Sequence, residues 1–222
     1  MDKTIILLAC SRKMSNYCVA GIDLITGEWI RIISEDASIQ HAVRKSDMVY
    51  EDGTYPQLFD IVNIKCKQHA PSYYQPENWV LDNRYYWEKL GTASLDYVLK
   101  IHPIDSPDHI FYDNCWKIDT NYIARLDPRQ RYSLTLISPS SLHICIGPSK
   151  NYPNKKSIKA QFRYKGQLYQ YITVTDIEYE NIYSQYRDGI YIVDKNVLLV
   201  LSLADLYEGY HYKLVATIIQ FS

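Results

Sequence analysis

Apolar and polar residues alternate in short runs along most of this chain, at residues 4–9, 17–22, 29–33, 59–66, 132–137, 142–146, 158–163, 167–174, 197–203 and 212–219. Runs of five to eight with period two predict strands, and Thr26-Gly27, Asp52-Gly53 and Lys165-Gly166 supply turns between them. Helical spacing concentrates in three places. Asp82 is expected to cap a short helix through Arg84, Tyr86, Trp87 and Leu90, stopped by Gly91. Ser94 begins another that ends before Pro103, and a third follows Thr175-Asp176 and runs toward Gly189. Strands thus fall before about residue 70 and after about residue 130. The pattern predicts a mainly β protein with a helical insert: a first barrel over 1–72, a helical linker over 73–128 and a second barrel over 129–222. One continuous sandwich with a helical excursion is the alternative.

Composition adds tyrosine to this picture. There are 22, against four phenylalanines; tyrosine favours strands, fills cores with a polar tip and offers a flat surface to bases. Apolar residues at 47% and charged residues at 22% exclude wholesale disorder. No run reaches the ~18 apolar residues of a membrane helix, so no membrane partner is expected. The apolar stretch ending in Leu7-Leu8-Ala9-Cys10 imitates a lipoprotein cleavage box, but Arg12-Lys13 follow at once and a first core strand fits better. Five cysteines without a C-x-x-C pair read as reduced thiols of a cytoplasmic protein. The six histidines show no zinc-site spacing, and neither metal nor cofactor is expected.

Charge changes the picture more. The formal net charge is −1, yet residues 128–175 contain no Asp or Glu while carrying Arg129, Arg131, Lys150, Lys155, Lys156, Lys159, Arg163 and Lys165. Such a local positive field suits a specific polyanion. A three-residue loop Tyr164-Lys165-Gly166 would set Phe162 opposite Leu168 in the core. Lys159, Gln161 and Arg163 would then share the outer face with Tyr169, Tyr171 and Thr173. A two-residue turn would mix the two sets. The first register yields a single-strand platform, with phosphates on Lys155, Lys156, Lys159, Arg163 and Lys165 and bases on Tyr169 and Tyr171. A merely solvated outer face is the plainer reading.

A second constellation is Arg12, Lys13, Trp29 and Arg31, which could hold a base or phosphate. In the alternative, Trp29 closes the barrel and Arg31 pairs Glu28 or Asp60. Gln75 and Asn78, in a stretch rich in aromatic residues, carry amides able to read base edges or to stabilise turns.

These segments together resemble the bacterial dual OB-fold domain proteins. The likeness is carried in order by Leu8-Ala9-Cys10-Ser11-Arg12-Lys13, Cys18-Val19-Ala20-Gly21, Trp29-Ile30-Arg31, Asp52-Gly53, Asp60-Ile61-Val62 and Gln75-Pro76-Glu77-Asn78. It continues through Ser133-Leu134, Phe162-x-Tyr164-x-Gly166, Val174-Thr175-Asp176 and Tyr212-Lys213-Leu214-Val215-Ala216. The resemblance implies two OB-type barrels and a nucleic-acid-binding role in bacterial defence or genome maintenance. No nucleophile elbow, Walker loop or dinucleotide fingerprint is present, so a non-catalytic protein is expected. The leading expectation is a binder of single-stranded DNA or RNA. Its rivals are a protein-interaction adaptor and a pocket for a nucleotide or modified base centred on Trp29, Arg31, Gln75 and Asn78.

Overall fold

The computed structural model describes residues 1–149, 155–194 and 196–221. The chain divides into two compact units, Met1–Ile104 and Asp105–Ser222.

In the first unit, β1 (Asp2–Lys13), β2 (Asn16–Asp23), β3 (Trp29–Ile33), β4 (Asp60–His69), β5 (Asn78–Leu81) and β6 (Glu88–Thr92) precede a short helix α1 (Leu95–Ile101). The strands pair in the order β1-β2-β3-β5-β4, and β4 returns to β1, closing a five-stranded barrel with β6 added beside β4. β3 and β5 run parallel and the other pairs antiparallel. That order and closure are those of an OB barrel. Alternation places Val62, Ile64 and Cys66 of β4 inside with Ile5, Leu7, Val19, Ile30, Ile32 and Trp87.

The expected helix over 82–90 is absent. The Asp82 carboxylate instead accepts from Arg84 N–H and binds its guanidinium at 2.6 Å, closing a turn. The flanking residues join β4 as β5 and β6. Pairing to an existing sheet satisfies their backbone groups better than a frayed single-turn helix would. The stretch 73–128, expected as a helical linker, is accordingly shared between the two units. Ser94 does cap α1, accepting from Tyr97 N–H.

Asp60 is a polar node of this barrel. Its carboxylate is 2% exposed and takes Lys89 Nζ at 2.6 Å, the Tyr50 hydroxyl at 2.9 Å and Gln57 N–H at 3.0 Å. Burial alone would raise its pKa, but these donors outweigh it and hold the group below 3.8. A depressed carboxylate stabilises the fold above its unfolded pKa, and that contribution is lost as pH falls through the lower folded value. Asp60→Asn is expected to lose about 2–3 kcal/mol at neutral pH. The gap to the native chain should narrow below pH 3.8, which urea unfolding at neutral and acid pH will check.

The second unit contains β7 (Lys117–Asp119), α2 (Thr120–Arg125), β8 (Leu134–Ile137), β9 (Ser141–Pro148), β10 (Lys156–Tyr164), β11 (Gln167–Val174), α3 (Ile177–Ser184), β12 (Gly189–Ile192), β13 (Asn196–Tyr207) and β14 (Tyr210–Phe221). Its sheet runs β12-β9-β10-β11-β14-β13-β8, with β7 on β14. OB logic persists: three antiparallel strands β9–β11, a helix, a strand returning beside β9, and β14 parallel to β11. Asp176 caps α3 through Tyr179 N–H and also accepts from Ile218 N–H, tying the helix to β14.

Lys213 of β14 lies inside this unit, 1% exposed at its side chain. Its ammonium donates to the carbonyls of Ile110 and Asp113, each at 2.6 Å, and to the Asp113 carboxylate at 2.9 Å. Between those carbonyls Phe111 and Tyr112 hold left-handed φ of 47° and 79°. Tyr132 and Tyr169 hydroxyls accept from Phe111 and Ile110 N–H.

Candidate nucleic-acid interface

The basic ribbon is β10 and β11. Lys165 and Gly166 have φ of 47° and 77°, and Tyr164 faces Gln167. The connection is therefore a two-residue turn with both central residues left-handed, the form that matches strand twist, and not the expected three-residue loop. Near the turn the register is the mixed one: Phe162 opposes Tyr169, and Arg163 opposes Leu168. Beyond it a bulge resets the parity. Gln161 alone stands against Gln170 and Tyr171, after which Ala160 faces Ile172 and Lys159 faces Thr173. Tyr171 occupies the bulge with φ 61° and is 66% exposed.

This register corrects the expectation for Tyr169. Its ring is fully buried, stacked on Phe162 at 5.3 Å, and its hydroxyl takes Ile110 N–H. It is a core residue and offers no surface to a base. Tyr171 does.

Direct register aligns side chains across four strands on the outer face. One row reads Ile190, Cys145, Lys159, Thr173; the next reads Ile192, His143, Gln161. The opposite face sends Ile144, Ala160, Phe162 and Ile172 into the core. Lys159 is half-buried and donates to Thr173 Oγ1 at 2.7 Å; burial lowers its pKa. Gln170 donates to Gln161 at 3.0 Å. Arg163, exposed, reaches the Gly166 carbonyl, and Lys156, also exposed, reaches that of Tyr186. Lys155 is exposed at the strand entrance, while Lys150 falls outside the described residues. Lys165 bonds the Ser106 carbonyl at 2.8 Å and lies 3.5 Å from the Asp108 carboxylate, so its charge is partly answered within the unit.

Sequence reasoning missed Ile190 and Ile192, 67% and 71% exposed beside this face. The alternation Ile190-Tyr191-Ile192 after Gly189 was the available signal for their strand.

The amino-terminal constellation does not assemble. Arg12 pairs across from Tyr17, whereas Trp29 pairs with Ile22. Those partners lie five positions apart along β2, about 17 Å of extended chain. Arg12 is exposed and Lys13 half-buried. Arg31 is 3% exposed, with Nε 3.3 Å from Glu77 and Nη1 donating to Cys18 Sγ at 2.8 Å. The carboxylate it pairs with is Glu77, on the segment leading into β5. Parallel pairing sets Asn78 beside Arg31, and Asn78 donates to Gln75 at 3.2 Å. Gln75 and Asn78 are 4% and 5% exposed. These buried amides and this buried guanidinium brace the barrel; they do not present edges to a ligand. Trp29 is half-buried, edge-on to His102 at 5.4 Å.

Among the described residues no cluster of His, Cys, Asp or Glu is placed to hold a metal ion, and no helix is long and apolar enough to cross a membrane. No curated protein matches the chain. Solved structures with a similar chain path include the p204 HINb domain, at 10% identity and TM-score 0.34, covering 97% of this chain and 96% of that one. Another is the Ifi202 HINa domain, crystallised with a 20-bp double-stranded DNA, at 9% identity and TM-score 0.31, covering 100% and 97%. The family model of the dual OB-containing domain matches residues 3–218. With a closed OB barrel in the first unit and OB strand order in the second, the chain belongs to the dual OB-containing domain family.

Proposed function

We propose that this protein binds nucleic acid, as a single strand, on the outer face of β9–β12 in the second unit, and that it does so without catalysis. The observation that carries the reading is the coincidence of exposed Lys155, Lys156, Arg163 and Tyr171 on or beside β9–β11, three strands drawn from a 48-residue segment without a carboxylate. Phosphates meet the cations. Bases lie on the Tyr171 ring and on the apolar column Ile190–Ile192, which tolerate any base because every base has an apolar face. Gln161 and Gln170 stand between them as amides able to hydrogen-bond base edges. Bacterial defence or genome maintenance is the setting such an activity would serve.

Salt-titrated binding to matched single- and double-stranded DNA and RNA tests the reading. Reversing Arg163 and Lys156 to Glu is expected to weaken single-strand binding across sequences. It should also flatten the salt slope by ~0.7 log units for each phosphate no longer neutralised. Tyr171→Ala should cost about 1–3 kcal/mol of affinity with the slope unchanged. Slopes identical to the native protein's in the charge-reversed chain would remove this face from consideration.

Exposed Ile190 and Ile192 favour a second reading, an adaptor that docks a protein on the same face. That reading requires no retention of any oligonucleotide at low salt and loss of a co-purifying partner in Ile190→Asp.

A further inference from the structure

A cavity of about 300 Å³ opens on the first unit, and its chemistry is unlike that of the basic face. Two indoles, Trp29 and Trp79, line it together with the carboxylates of Asp23, Glu28 and Glu77 and a single ammonium, Lys3. That ammonium lies 4.0 Å above the centre of the Trp79 ring and 3.3 Å from the Asp23 carboxylate. The cavity thus already holds one alkylammonium against an aromatic face and a carboxylate, the pairing by which proteins recognise organic cations. Asp23 is answered by Lys3, and Glu77 by the buried Arg31. Glu28 is exposed at the rim. A phosphate entering here would meet three carboxylates, which disfavours nucleotides on electrostatic grounds. The volume is at the small end for ligand sites and suits a compact head group.

We infer that this cavity binds an alkylated ammonium group, of the trimethylammonium type, with Trp29 and Trp79 as its aromatic walls and Glu28 as the charge at its mouth. Lys3 is the internal competitor for the same aromatic and acidic surface. The source of the cation is a free small molecule or an N-methylated lysine side chain. The site lies wholly in the first unit and does not depend on the nucleic-acid reading.

The test is calorimetry and indole fluorescence on the whole protein with choline, its uncharged isostere 3,3-dimethylbutanol, a capped trimethyllysine peptide and adenosine monophosphate. Saturable binding of choline or the peptide is expected, with the uncharged isostere about 10-fold weaker. Tighter binding of the peptide assigns the source to a protein side chain, and tighter binding of choline to a small molecule. Glu28→Gln should weaken the cation by a factor of about 3, and Lys3→Met should strengthen it by a similar factor. Trp29→Leu should abolish binding; Glu28→Gln and Lys3→Met at partly exposed positions keep the test sound if that variant misfolds. Equal binding of the isostere, preferential binding of the nucleotide, weakening by Lys3→Met, or no saturable signal from either cation would each overturn the proposal.

Discussion

Lys213→Met is expected to destabilise the second unit by about 3–5 kcal/mol, the loss associated with removing one partner of a buried, hydrogen-bonded ion pair. Methionine keeps the volume, so packing is preserved and the loss is polar. The Ile110 and Asp113 carbonyls and the Asp113 carboxylate would be left without their shared donor. The Asp113 side chain, 45% exposed, can rehydrate, which places the expected value nearer the lower end. The lysine also clamps both ends of a turn whose left-handed Phe111 and Tyr112 each carry about 1–3 kcal/mol of strain. Releasing the clamp should speed hydrogen exchange at the Ile110 and Phe111 amides before global unfolding. A pH signature accompanies this. Burial holds the Lys213 ammonium below the ordinary 10.5, so between its lowered pKa and 10.5 the unfolded chain binds the extra proton. Native stability then rises with pH through that window, and the rise should be missing from the variant. Urea unfolding across the alkaline range decides it, and a Lys213→Met chain as stable as the native one would refute the clamp.

Gly21→Ala is expected to be comparably severe in the first barrel, about 3 kcal/mol or more. Gly21 faces Leu7 across the β1–β2 pair, and a β-carbon there would lie 2.3 Å from the Ile6 carbonyl oxygen. The obstacle is main chain, not a side chain that can rotate away. β1 would have to move, although it pairs on one side with β2 and on the other with β4. Displacing it opens the barrel closure itself. Thermal melting and soluble yield measure the effect; an unchanged melting temperature would mean that β1 shifts at little cost.

Much of this architecture was readable in the alternation of residues. The β1, β3, β10, β11, β13 and β14 segments declare themselves because one face is buried and the other is not, or because, as in Ile5–Leu8, both are. The helices capped by Ser94 and Asp176 were readable from helical spacing together with their capping residues. The β5 and β6 strands were not, because Tyr85, Tyr86 and Leu90 point to solvent while Trp87 is buried, and only the pairing with β4 selects between helix and strand. The basic segment was visible as a composition bias, but which tyrosine it presents was not. That choice depended on a bulge, and nothing local to Gln170-Tyr171 distinguishes it from an ordinary strand. Likewise Arg31 and Asn78 lie 47 residues apart in sequence and become neighbours only through the parallel β3–β5 pair, which turns two attractive ligand-binding side chains into struts.

The bulge at Tyr171 works on the sheet as an inserted letter works on a reading frame. Upstream of it, one set of odd and even positions addresses the interior; downstream, the other set does. A residue gained between Leu168 and Thr173 and not taken up by the bulge would therefore invert the message for the remainder of β11, driving Lys159's partner inward and Ile172 into water, whereas loss of Tyr171 itself would leave both on their present partners in a regular ladder. The extra residue thus serves to lift the Tyr171 ring out of the ladder into solvent, and the core pairing on either side does not need it.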